Sequence, residues 1–243
     1  MNTEKRISIF GIPIDNVSLP GAMDRINKWI VDSDCMKLII TPNPEILLHA
    51  RNHPDFAAVL SKADLSVADG FGIRLFSRIT NTVRGVDVAG HLMDIAHAKK
   101  LSVHCVIRKD GLSGEQDIIA AMKTRWPDAV VSAHSIMKDQ WLNDPPTGIS
   151  ADLLLVGLGF PEQELWLGKH LDSAGPSAVG IGVGGTFDFW SGTATRAPRW
   201  IQAVHLEWLW RLLQQPNRII RIVNAVVVFP ISLLLFRGLR RKE

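Results

Sequence analysis

Leu153-Leu154-Leu155-Val156-Gly157-Leu158-Gly159-Phe160-Pro161-Glu162-Gln163-Glu164 carries a complete strand-to-helix transition. Residues 153–157 form a continuous apolar run, as expected of a strand covered on both faces rather than one. A glycine-rich turn follows, and from Glu162 to Leu171 the pattern is helical. The same alternation extends outward in both directions. Further strands are predicted at Ile7–Phe10, Lys37–Ile40, Leu65–Ala68, Val103–Ile107, Ala129–Ser132 and Ala178–Val183. Helical patterns fill Leu19–Val31, Glu45–Leu60, Gly72–Arg78, Val88–Lys99 and Gly114–Trp126. Strand–helix alternation without an internal repeat predicts an α/β fold with a mostly parallel sheet flanked by helices. Ligands bind such sheets outside the carboxyl ends of the strands, so the residues just after each strand are the ones to inspect.

The composition agrees with one large globular body. Of 243 residues, 47% are hydrophobic and 21% charged, which excludes disordered and collagenous chains and provides a core that needs no staples. Cys35 and Cys105 are the two cysteines, too few for a closed zinc site or a disulfide framework, and a reducing cytosol fits them. Met1 to Phe10 is charged and short of apolar residues, so no signal peptide is expected ahead of the body. The net charge of +3 is unevenly placed. Residues 1–195 hold 18 Lys/Arg against 22 Asp/Glu, whereas residues 196–243 hold 9 against 2. A mildly acidic body with a basic tail predicts that the tail meets something anionic.

Two units are therefore expected, an α/β catalytic domain at 1–195 and a basic, Trp-rich and apolar C-terminal appendage at 196–243. Pro198–Gln215 reads as an amphipathic helix, and Ile222–Phe236 as an apolar stretch interrupted by Asn224, Pro230 and Ser232. A membrane span needs about 20 apolar residues, and this stretch is shorter and contains a proline. Arginines on both sides suit an interfacial anchor on the cytoplasmic face of a membrane. Burial on the body, or in a homo-oligomer contact, is the alternative reading. A nucleic-acid role is disfavoured, because the positive charge is confined to an apolar tail.

Several post-strand segments carry chemistry. Thr41 and Asn43, separated and followed by prolines, offer a hydroxyl and an amide after one strand, either to a ligand or as helix caps. Asp69 follows another strand beside Val67, Ala68 and Phe71, where partial desolvation makes it a candidate general base; its bland reading is an N-cap. Gly180-Ile181-Gly182-Val183-Gly184-Gly185 spells G-x-G-x-x-G, yet its first glycines fall inside the strand and Thr186–Trp190 reads poorly as a following helix, so no dinucleotide cofactor is expected. Asp32-Ser33-Asp34 spells D-x-D at the wrong edge of the sheet, and the histidines lack ligand spacing, so no metal site is expected. Arg211, Arg218 and Arg221 recur at near-helical spacing and suit a diphosphate or lipid headgroups.

Taken in order, Thr41-x-Asn43-x-Glu45, Ala68-Asp69-Gly70-x-Gly72, Pro161-x-Gln163-Glu164, Gly182-Val183-Gly184-Gly185-x-Phe187-Asp188, Arg196-Ala197-Pro198 and Leu206-Glu207-Trp208-Leu209-x-Arg211-Leu212 resemble the signatures of the WecG/TagA/CpsF glycosyltransferases. The resemblance runs from about Ile7 to Arg221. It implies a Rossmann-like fold and an inverting, metal-independent transferase without a cofactor. Such enzymes move a hexose or N-acetylhexosamine from a UDP-sugar donor to a polyprenyl-diphosphate-linked acceptor at the cytoplasmic membrane surface, in bacterial surface polysaccharide synthesis.

Carried onto this chain, the resemblance makes Asp69 the general base and places Thr41, Asn43, Gln163, Gly184, Gly185 and Arg84 around the substrates. It assigns Arg211, Arg218 and Arg221 to the diphosphate. Thr82 stands where the family usually has arginine, with Arg84 nearby, and Glu162 where lysine is common, so a uronic acid donor is disfavoured. The rival readings are a non-catalytic membrane-docking subunit of the same fold and a nucleotide-cofactor oxidoreductase.

Overall fold

A computed structural model describes residues 6–32, 36–137, 140, 150–170, 179–198, 200–201, 207–214 and 219–240. The chain opens with an antiparallel hairpin, β1 (Arg6–Ile9) and β2 (Ile12–Asp15), followed by α1 (Leu19–Asp32). Then come β3 (Lys37–Ile40), α2 (Pro44–Asn52), α3 (Pro54–Ser61), β4 (Leu65–Ser66), α4 (Phe71–Phe76) and α5 (Gly85–Lys99). The second half supplies β5 (Ser102–Arg108), α6 (Glu115–Arg125), β6 (Val130–Ile136), β7 (Leu153–Gly157), α7 (Glu162–His170), β8 (Val179–Gly182) and α8 (Thr186–Trp190). Six strands form one parallel sheet in the order β4-β3-β8-β7-β5-β6. The predicted α/β architecture with a parallel sheet is what the chain adopts.

The apolar runs are two-faced for a reason visible along β7. Leu154 and Val156 join a core with Phe56, Trp166 and Leu167 beneath the hairpin, α2, α3 and α7. Leu153 and Leu155 join the opposite core with Ile26, Leu92, Met93 and Met122 from α1, α5 and α6. Each such side chain contributes about 1.5–3 kcal/mol when fully buried, which makes continuous hydrophobicity the stable choice in both-face strands.

Two local departures from the sequence reading have simple causes. The predicted helix Glu45–Leu60 is two helices, because His53 precedes Pro54 and takes an extended conformation (φ −130°, ψ 92°). The predicted strand Ile7–Phe10 does not join the main sheet. It turns back through Phe10 and Gly11, both at positive φ (52° and 88°), the backbone that a two-residue hairpin demands.

That strained Phe10 is buried against the C-terminal segment. Its ring meets Phe229 and Phe236 edge-on at 5.9 and 5.4 Å. The helical path there is continuous through Ile219–Val223, a wider π-helical turn at Asn224–Val228, and Phe229–Arg240. Pro230 lies within this path and is accommodated there. A proline clashes with the carbonyl four residues earlier, here Val226, and the widened turn includes that residue. Phe229, Ser232 and Leu233 face inward. Ile220, Val226, Ile231, Leu234 and Leu235 lie outside, with Leu234 68% exposed. Among the described residues no helix is long and apolar enough to cross a membrane.

The sheet also carries a buried histidine. His104 on β5 has Nδ1 2.8 Å from Ser132 Oγ and Nε2 2.6 Å from His134 Nδ1. Burial, and then the neighbouring His134, lower its pKa to about 4. An unfolded histidine takes its proton near pH 6.5, so between about 6.5 and 4 the unfolded chain binds more protons and stability falls as pH falls. The urea midpoint is expected to be lower at pH 5 than at pH 7, and to fall less in His104→Gln. Equal falls in the two proteins would remove His104 as the origin.

Candidate active site

The carboxyl edge of the sheet gathers the residues singled out in the sequence. Thr41 is the first residue beyond β3, and Asn43 caps α2, its Oδ1 accepting the Ile46 N–H at 3.0 Å. Asp69 lies beyond β4, with its N–H donating to the Pro42 carbonyl at 2.8 Å. One Asp69 carboxylate oxygen, Oδ2, accepts the Gly85 N–H at 3.3 Å. Val83 N–H in turn donates to the Ala68 carbonyl at 2.8 Å. Three loops, 41–43, 68–70 and 83–85, are thereby laced together at the start of α5.

Glycine is required at position 85. A Cβ there would lie 2.8 Å from Thr41 Oγ1, so only the bare backbone lets the threonine, the aspartate and the helix start converge. Asp69 does not cap α4, whose N-cap is Gly70; it faces the fifteen-residue helix α5 instead. The positive end of that helix favours a carboxylate at this place. Arg84 is the residue immediately before α5 and is half-buried beside this convergence.

A second set lies beyond the neighbouring strands β7 and β8. Gln163 is buried at the start of α7, and its Oε1 accepts the Gly184 N–H at 3.0 Å. Its Nε2 donates to Glu164 Oε1 at 2.7 Å. The Gln163 amide is thus engaged in shaping the turn that carries Gly184 (φ 50°) and Gly185. Contrary to the sequence reading, a short helix does follow this turn, α8. Glu164 is buried, which raises its pKa to about 7 against the opposing hydrogen bond from Gln163.

Beyond β5 and β6 opens a cavity of about 350 Å³, lined by Arg108, Lys109, Ser113, Gly114 and Glu115 among others. Ser113 Oγ donates to Asp188 Oδ1 at 2.8 Å and lies equally close to Ser191 Oγ and Thr193 Oγ1. This ties the cavity wall to the Gly184-Gly185-x-Phe187-Asp188 segment. The sequence reading missed the cavity, although Ser113-Gly114-Glu115 after a buried strand and before a helix was the available signal. Arg196 Nη2 meets Asp87 Oδ1 at 2.9 Å, joining the Arg196-Ala197-Pro198 signature to α5, 109 residues earlier.

Of the three arginines expected at a diphosphate, Arg218 lies outside the described residues. Arg211 and Arg221 fall on the helices Glu207–Gln214 and Ile219–Val223, but their side chains lie outside the described residues too. Ser33 and Asp34 of the D-x-D segment are likewise outside. Among the described residues no three His, Cys, Asp or Glu side chains gather as metal ligands.

The sequence profile of the glycosyl transferase WecG/TagA/CpsF family matches residues 7–243. The chain belongs to this family. It is a glycosyltransferase, which sets aside the oxidoreductase reading of the Gly180–Gly185 run. A Bacillus subtilis relative named N-acetylglucosaminyldiphosphoundecaprenol N-acetyl-beta-D-mannosaminyltransferase is 32% identical over 229 residues, 90% of this chain and 86% of its own. A protein of the same name from Bacillus spizizenii is 33% identical, over 82% of this chain and 80% of its own. One from Staphylococcus aureus is 28% identical, over 93% and 91%. Four of the six WecG/TagA/CpsF signatures named above fall at the carboxyl edge: 41–45 and 68–72 beyond β3 and β4, 161–164 and 182–188 beyond the adjacent β7 and β8.

Proposed function

We infer that the chain transfers an N-acetylhexosamine of the N-acetylmannosamine type, or a hexose, from a UDP-sugar to a polyprenyl-diphosphate-linked sugar. The observation that carries this reading is the Asp69 carboxylate, held at the carboxyl edge by the Gly85 N–H, on a backbone bound to the Pro42 carbonyl, with Thr41 close against Gly85. The names of the relatives support the lipid-linked acceptor and the N-acetylmannosaminyl unit.

In this reading Asp69 takes the proton of the acceptor hydroxyl, whose oxygen attacks the anomeric carbon from the face opposite UDP. The new C–O bond forms as the bond to the diphosphate breaks, and the electron pair leaves with UDP, which inverts the configuration. Much of the acceleration is positioning, since the reacting atoms must be held about 3 Å apart. Thr41, Asn43 and Arg84 lie on the acceptor side of the edge, and the Gly184–Gly185 turn with the cavity at Lys109 and Ser113 on the donor side. Arg211, Arg218 and Arg221 neutralise charge on the leaving diphosphate.

The exposed face of the C-terminal helix supports attachment to a membrane surface, where a polyprenyl acceptor resides. A helix with Phe229 and Leu233 packed on the body and Ile231, Leu234 and Leu235 outward is apolar on both faces and docked on one. Burying the outer face among lipid chains removes its contact with water.

The test is UDP release from a panel of UDP-sugars, with and without a short-chain prenyl-diphosphate-linked N-acetylglucosamine. Release from UDP-N-acetylmannosamine only when the acceptor is present is expected. Release from a different donor alone would correct the sugar, and silence across the panel by folded protein would contradict the reading.

A further inference from the structure

Gln163 makes two hydrogen bonds of opposite sense. Its oxygen accepts from the Gly184 backbone at 3.0 Å, and its nitrogen donates to Glu164 at 2.7 Å. The two ends of an amide are nearly the same size, so shape alone does not distinguish this arrangement from the flipped one. Flipped, the amide nitrogen would face the Gly184 N–H, donor against donor. The space around it is full: a Cβ on Gly182 would lie 2.6 Å from Gln163 Nε2, so the amide lies directly against the β8 backbone.

Two neighbours favour the observed orientation, the Gly184 N–H at the oxygen and Glu164 at the nitrogen. Glu164 Oε1 meets the donor end of the amide at 2.7 Å, just as the Gly184 N–H meets its acceptor end at 3.0 Å. The second carboxylate oxygen, Oε2, is buried without a hydrogen-bond partner among the described residues. A carboxylate so placed is costly to bury, and an amide or an apolar residue would sit there at lower cost.

We propose that Glu164 is a positioning residue that locks the Gln163 amide in the orientation that holds the Gly184–Gly185 turn. The glutamate touches no substrate itself. It acts through Gln163 on the turn, and so on the group that rests there. The consequence for the donor rests on the proposed transfer reaction, whereas the lock does not.

The first readout is hydrogen exchange at the Gly184 amide, followed in the full-length protein by mass spectrometry of a peptide spanning residues 179–190. Glu164→Gln keeps size and shape but offers a donor as well as an acceptor, and it is expected to speed Gly184 exchange about tenfold with unchanged far-UV circular dichroism. Glu164→Met, which removes the acceptor, is expected to do at least as much. The second readout is steady-state transfer, in which Glu164→Gln is expected to raise the KM for the UDP-sugar about five- to tenfold with kcat within twofold. A merely structural defect would lower kcat by reducing the active fraction. Equal Gly184 exchange in native and Glu164→Gln protein overturns the proposal, whatever the kinetics show. Faster exchange in a protein that turns over no UDP-sugar, native chain included, would uphold the lock and contradict the transfer reaction.

Discussion

Asp69→Asn is expected to reduce sugar transfer about 10³-fold while leaving UDP-sugar binding within twofold. Positioned general bases typically contribute between 10² and 10⁴, and an amide cannot take the acceptor proton. The substitution is well suited to the place. Asparagine keeps an oxygen for the Gly85 N–H, and the Pro42 carbonyl is bound by the backbone rather than the side chain. The three laced loops should therefore hold their arrangement. Turnover and calorimetric binding, measured on the same preparation, separate chemistry from pocket shape. Turnover near that of the native chain would remove Asp69 from the role of base, and a parallel loss of binding would recast it as a pocket residue.

The second large effect is expected on membrane attachment. Ile231, Leu234 and Leu235 are 53%, 68% and 61% exposed, so replacing all three by serine removes apolar area without opening the core. If each contributes about 1 kcal/mol of apolar transfer, partial burial being assumed, the triple variant loses roughly 100-fold in vesicle affinity. Cosedimentation with vesicles containing anionic lipid reads this directly. Transfer to a soluble short-chain acceptor should persist, while transfer to an acceptor embedded in vesicles should fall with binding. Undiminished vesicle binding would contradict the anchor. If the variant instead turned a dimer into a monomer with no effect on vesicles, the apolar face would belong to a contact between two copies.

The sequence made the sheet and the edge legible, because both-face strands advertise themselves as unbroken apolar runs and the chemistry sits where they end. Leu153–Gly157 and Lys37–Ile40 appear as predicted, and Thr41, Asn43, Asp69, Gly184 and Gly185 all fall beyond strand ends. What escaped was decided by tertiary contact. The β1–β2 hairpin rests on a phenylalanine at positive φ, an arrangement that local propensity disfavours and that packing against Phe229 and Phe236 sustains. The helical path through Pro230 depends on the widened turn before it, which cannot be read from residue type. Asp69 looked like a cap for the next helix, since nothing in the local spacing says that α5, sixteen residues on, supplies its N–H. Ser113 was passed over because its partner, Asp188, lies 75 residues away.

Gln163 shows the same limit from the other side. Its type and position matched a ligand-holding residue, and in the fold its amide is bound to Gly184 and Glu164. Through these bonds it shapes the turn, with a second amide hydrogen left for a substrate. The acidic neighbour that makes this possible is visible in the sequence only as the last letter of Pro161-x-Gln163-Glu164.

The central claim is that a sugar leaves UDP for a lipid-linked acceptor at the carboxyl edge of this sheet. The most direct test is the mass of a short-chain prenyl-diphosphate N-acetylglucosamine acceptor after incubation with the protein and UDP-N-acetylmannosamine. The expected result is an acceptor heavier by one N-acetylhexosamine, formed in step with UDP and absent with Asp69→Asn. An unchanged acceptor in the presence of folded protein, or UDP released without any product, would contradict it.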